Sequence, residues 1–85
     1  VSPLGASVRK KFGIADGVKG VVVTQVEPAS RAARAGIRQG DVVVEVNRQA
    51  VADTDKFRQL VGKNKDNVLL LIHRKGATLY VVVRK

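Results

Sequence analysis

The stretch Val21–Val46, VVVTQVEPASRAARAGIRQGDVVVEV, constrains the fold of this 85-residue chain more than any other. Its two valine-rich runs are β-branched, and such side chains pack well on a pleated surface while losing rotamer freedom in a helix. Gly20–Val26 carries three consecutive valines with no polar alternation, so it reads as a strand buried on both faces, central in a sheet. Glu27-Pro28 ends it. Ser30 can then cap a helix by accepting from the N–H of Ala32 or Ala33, with Ala32, Ala33 and Ala35 supplying propensity. Gly36 stops that helix in the left-handed conformation and Ile37 folds back on its last turn. Gly40-Asp41 turns the chain into the second buried strand, Val42–Val46, and Asp41 reads as the brace of its turn.

The flanks supply the remaining parts. Val1–Val8 reads as a turn, Ser2-Pro3-Leu4-Gly5, followed by a very short strand, Ala6-Ser7-Val8. Pro3 lacks an amide proton and Gly5 permits positive φ, so neighbouring N–H groups can be turned outward without strain. Arg9–Ile14 is a basic connector anchored by Phe12 and Ile14, and Asp16-Gly17 marks a turn. After the tight connection Asn47-Arg48, Val51 forms a brief strand and Asp53 or Thr54 starts a second helix, about Thr54–Gly62. Phe57, Leu60 and Val61 fall there at i, i+3 and i+4, an apolar stripe on a polar rod. Asn67–Arg74 and Ala77–Arg84 form a hairpin through Lys75-Gly76. The predicted fold is mainly β with two short helices (α+β), a half-open sandwich of about five strands whose ends the helices close.

Composition narrows the function classes. The 85 residues make one small domain that buries roughly 60–65% of the surface its unfolded chain exposes. Only Phe12, Phe57 and Tyr80 are aromatic, so Val, Leu, Ile and Ala must fill the interior. With no Cys there is no disulfide framework and no thiolate metal site. The longest apolar run, Val68–Ile72, is far short of the ~20 residues a membrane span needs. The formal charge of +9 is spread along the chain without aromatic interleaving. That argues against specific nucleic-acid recognition and for a solvated basic surface that attracts acidic partners.

No catalytic constellation is legible. Ser2, Ser7 and Ser30 sit in no nucleophile elbow, and the single histidine, His73, lies in an apolar strand beside Arg74, which disfavours the imidazolium a general base must become. The seven acids show no EF-hand spacing, and Asp53 and Asp55 read as helix N-terminal charges. No metal ligand set, cofactor or phosphate-binding glycine loop is implied. Binding by geometry remains: a short strand beside an amphipathic helix leaves a slot to which an extended peptide can add.

The order Leu4-Gly5, then Gly20–Val26 through Glu27-Pro28-Ala29-Ser30, Ala33–Ile37, Gly40-Asp41, Val42–Asn47, Phe57-Arg58 and the closing Val68–Val83 resembles the PDZ domains of bacterial HtrA/Do-type serine proteases. The resemblance covers essentially the whole chain, 1–85 as a single domain excised from a longer one, and the ending Asn67–Val81 is most similar to a second, C-terminal PDZ. It implies the circularly permuted strand order of bacterial PDZ domains. It also implies a carboxylate-binding loop at Ser2–Gly5, with Leu4, Gly5 and Ala6 donating backbone N–H groups, a ligand-pairing strand at Ala6, Ser7 and Val8, and an opposite wall of Phe57, Arg58 and Val61. By the same resemblance the parent is a periplasmic or cell-envelope protein-quality-control endoprotease, homo-oligomeric as trimers or larger cages. Its partners would be C-termini or extended segments of misfolded or substrate proteins, besides its own protease domain and a neighbouring PDZ. Two alternatives stand beside peptide capture: an assembly element of the same protease, or the PDZ of another envelope protease or secretion component. Two departures from the family pattern are the short connector Arg9–Gly13 and Arg48, which replaces the glycine common after Asn and argues against a primed turn.

Overall fold

The computed structural model describes residues 2–14, 17–63, 67–74 and 76–84. Along the chain run β1 (Ser2–Pro3), α1 (Ala6–Phe12), β2 (Val21–Val22), α2 (Arg31–Arg34), β3 (Val42–Val46), β4 (Gln49–Ala50), α3 (Thr54–Lys63), β5 (Val68–Arg74) and β6 (Ala77–Val83). One antiparallel sheet has the spatial order β1-β2-β3-β5-β6, and β4 pairs with β3 off that path. The valine runs do what their composition predicts: Val21, Val22, Val42, Val43 and Val46 are buried at the centre of the sheet. Along β5 the burial alternates, with Val68, Leu70 and Ile72 turned to the core and Leu69 and Leu71 to the other face. Leu60 of α3 closes the core, and Ala32 of α2 and Ala35 at its C-terminal cap pack against it.

The helix read from Ser30 to Ile37 forms as its sequence dictates. Ser30 Oγ accepts from the N–H of Ala33 at 3.1 Å. At the other end Gly36 has φ +94°, the N–H of Gly36 donates to Ala33 O and that of Ile37 to Ala32 O, both at 3.1 Å. These two bonds close a Schellman motif and carry Ile37 into the core. Asp53 caps α3, its Oδ1 accepting from the N–H of Lys56 at 2.7 Å.

Four expectations are corrected. Ala6, Ser7 and Val8 are not a strand; they open α1, a third helix where two were expected. Val8 and Phe12 stand four residues apart and are both half-buried. Gly13 ends the helix at φ +65°, the N–H of Ile14 donates to Arg9 O at 2.8 Å, and Arg9, Lys10 and Lys11 in the last turn complement the negative end of the dipole. The strand drawn through Gly20–Val26 is shorter: after β2 only Val23 continues the pairing, exchanging bonds with Asp41 O and Gly40 N–H at 2.8 Å. Pro28 and the capped helix then pull the chain off the sheet. The last strand ends at Val83 and leaves out Arg84. Asp16 of the expected Asp16-Gly17 turn and Lys75 of the expected Lys75-Gly76 turn lie outside the described residues.

The fourth correction concerns Asn47-Arg48. Val46 pairs with Gln49 across a two-residue loop whose members have φ +49° and +68°, a primed turn in spite of the missing glycine. Asn47 is held from two sides, its N–H donating to Leu69 O at 2.7 Å and its Oδ1 accepting from the N–H of Leu69 at 2.8 Å. With Asn47 so fixed to β5, Arg48 must take the left-handed conformation. That region costs a residue with a Cβ roughly 1–2 kcal/mol, while glycine's extra freedom in the unfolded chain returns ~0.5–1 kcal/mol. Arg48→Gly is therefore expected to stabilise the domain by about 0.5–1 kcal/mol, seen as a higher urea midpoint at unchanged m-value.

Candidate functional site

An apolar pocket of about 210 Å³ opens where the chain leaves the sheet after β2. Its floor is core: Val43 of β3, with Val68 and Leu70 of β5 and Val83 of β6. One wall is Phe57 and Val61 of α3. The facing wall is the Val23–Val26 segment with Ala32 and Ile37 of the capped helix behind it. The stripe read along α3 thus divides in two. Leu60 is buried in the core, whereas Phe57 and Val61, one turn apart, are half-buried and face the pocket.

Polar groups stay at the rim. Among the described residues Gln25 is the one polar residue lining the pocket, and its Nε2 donates to Glu27 Oε1 at 3.2 Å on the exposed side. Such a site offers an apolar side chain removal from water and offers little to a charged one. Full burial of a Val, Leu or Phe side chain contributes roughly 1.5–3 kcal/mol.

The α2 wall is fixed by a buried ion pair. Asp41 is buried, and Arg74 at the end of β5 meets it in a fork, Nε to Oδ1 at 2.7 Å and Nη2 to Oδ2 at 2.6 Å. Asp41 Oδ2 also accepts from the N–H of Arg38 at 2.9 Å, and Arg74 Nη2 donates to Gly36 O at 2.9 Å. One guanidinium therefore ties the C-terminal carbonyl of α2, the Gly40-Asp41 turn and β5 together. Its hydrogen bonds to Asp41 raise the Arg74 pKa further, opposed by desolvation and helped by the charge of Asp41. The brace expected of Asp41 is real, and its partner lies 33 positions away.

Of the residues proposed from the sequence, the structure brings Phe57 and Val61 together at the pocket. Arg58 lies on the exposed side of α3 and does not line it. Leu4 follows β1; Gly5 is the N-terminal boundary of α1 and its N–H donates to Pro3 O at 3.1 Å; Ala6, Ser7 and Val8 form the first turn of the helix. None of these five lines the pocket. Sequence reasoning missed Val23, Val26 and Ile37 as pocket residues because each reads as core. The one available signal was Pro28, which has to end sheet pairing nearby and so uncover part of that core.

Comparison with known proteins follows this geometry. A family profile described as PDZ domain matches residues 22–74. The probable periplasmic serine endoprotease DegP-like of Chlamydia trachomatis serovar D is 33% identical over 85 residues, covering 99% of this chain and 17% of that protein. Periplasmic serine endoprotease DegP of Escherichia coli strain K12 is 32% identical over 66 residues, covering 78% of this chain and 14% of that protein. The chain thus spans about one sixth of the length of these relatives, 17% in the first case. Among solved structures, the HtrA3 PDZ domain bound to a phage-derived ligand (FGRWV) superposes with a TM-score of 0.81 at 24% identity, covering 98% of this chain and 76% of that one. The HtrA-type protease AlgW with a decapeptide gives 0.87 at 22% identity, covering 99% of this chain and 26% of that one.

Proposed function

The chain belongs to the PDZ-domain family, and from that we propose that it is a peptide-capture module, taking an apolar side chain of an extended or C-terminal segment between Val23–Val26 and α3. The observation that carries this reading is the pocket itself: an apolar concavity floored by core side chains, beside a helix that presents the half-buried Phe57 and Val61. The peptides bound in the HtrA3 and AlgW structures support it. The relatives' names support a wider setting, a periplasmic serine endoprotease in which this domain does no chemistry and delivers segments to a catalytic domain elsewhere in the protein.

Fluorescent peptides ending in an apolar residue, titrated into the chain, test the proposal. Phe57→Ala is expected to weaken binding about tenfold, the loss of roughly 1.4 kcal/mol of apolar contact, with the circular dichroism spectrum unchanged. Unfolding of that variant would make Phe57 a core residue and remove the wall. A folded variant with unaltered affinity, or a parent chain that binds no peptide, would overturn the reading. Comparing peptides with free and amidated C-termini shows whether a terminal carboxylate contributes to binding.

A further inference from the structure

The far edge of the sheet carries a second feature, on the strand whose Val83 also reaches the pocket floor. β6 is the terminal strand, paired to β5 alone among the described strands. Arg74 pairs with Ala77 across a two-residue loop, and the pair closing such a hairpin exchanges both backbone bonds. Alternate residues Thr78, Tyr80 and Val82 therefore turn their N–H and C=O groups to the open side. Tyr80 and Val82 are 60% and 49% exposed, the large apolar residues most open to solvent among those described. Edges of this kind are usually blunted by proline or by a charge within the strand. β1, at the opposite edge, has Pro3; β6 has neither.

Beside the β6 edge lies an open depression of about 460 Å³ lined by Arg31, Arg34 and Ala35 near α2 and by Val82 and Arg84. Among the described residues, three arginines and no acid line it. We propose that the β6 edge with Arg31, Arg34 and Arg84 is a docking site for an extended acidic polypeptide segment, which adds to Thr78–Val82 as a further strand and places its carboxylates in the arginine-lined depression. Charge selects this occupant. A second copy of the chain would bring the same arginines against each other on a molecule of net charge +9, whereas an Asp- or Glu-rich strand satisfies the edge and the arginines together.

The probe is a seven-residue peptide of alternating glutamate and valine, acetylated and amidated, titrated into the ¹⁵N-labelled chain. Binding is expected to shift the amides of Thr78, Tyr80 and Val82 and to leave those of Phe57 and Val61 in place. Arg31→Glu with Arg34→Glu should weaken it about tenfold, the scale of two exposed ion pairs reversed. N-methylation of alternate peptide amides should abolish binding without touching the protein, which keeps the test independent of any variant's folding. Phe57→Ala should have no effect, so failure here and failure of the α3 pocket are distinguishable. Equal binding of the N-methylated peptide or of a lysine-valine analogue, shifts confined to α3, absence of binding, self-association of the free chain through β6, or the same shifts with anionic lipid vesicles but not with the peptide would each overturn the proposal.

Discussion

Gly20→Ala is expected to cost the domain several kcal/mol, enough to leave a large unfolded fraction at room temperature. Gly20 is buried next to β2 with φ +152°, a region that a side chain makes strained. A Cβ there would collide with the carbonyl oxygen of Val43 and stand 3.0 Å from its carbon and 3.1 Å from Val42 Cγ1. The obstacle is backbone of the central strand β3, so relief requires shifting the sheet itself. Backbone strain contributes on the order of 1–3 kcal/mol and overpacking a similar ~1–3 kcal/mol. An 85-residue domain holds roughly 4–13 kcal/mol in all. Chemical denaturation of parent and variant measures the difference, and a loss below about 1 kcal/mol would show that β3 yields.

Arg74→Met is the second large effect, with an expected cost of about 3–5 kcal/mol. The asymmetry of burial decides which partner matters more. Asp41 is 2% exposed and Arg74 24%. Removing the guanidinium leaves a buried carboxylate with one backbone N–H, from Arg38, for company, whereas removing the carboxylate leaves an arginine that water reaches. Asp41→Asn, which keeps an oxygen for the Arg38 N–H, should cost less, about 1–2 kcal/mol. Urea midpoints of the three proteins check both values. Equal losses for the two variants would mean that packing and not charge sets the cost.

How far the sequence reveals this molecule follows from how local each device is. Ser30, Gly36 and Ile37 build and end α2 with bonds spanning three to five residues, and the β5–β6 pairing follows from alternation and a short turn, so these were legible. α1 was not. Its first turn has no side-chain cap at Gly5 and no buried residue, and its apolar content is confined to Val8 and Phe12, whose four-residue spacing is too sparse to outweigh the Ser-Val strand signal. The positive φ of Arg48 is hidden for the opposite reason: its local preference is against that conformation, and the two bonds between Asn47 and Leu69 override it from 22 positions away. The site divides on the same line. Phe57 and Val61 declare themselves by helical spacing, while Val23, Val26 and Ile37 look like core and become pocket only because the chain departs from the sheet beside them.

The Arg74 fork gives the pocket an uneven mechanical character. The α2 wall is riveted to β5 through Gly36 O and Asp41, and Ile37 pins it from beneath. The α3 wall has Leu60 as its one fully buried side chain. The two jaws are thus held by different means, one by a charged fork and the turn that ends α2, the other by the seating of Leu60, Phe57 and Val61 against the core.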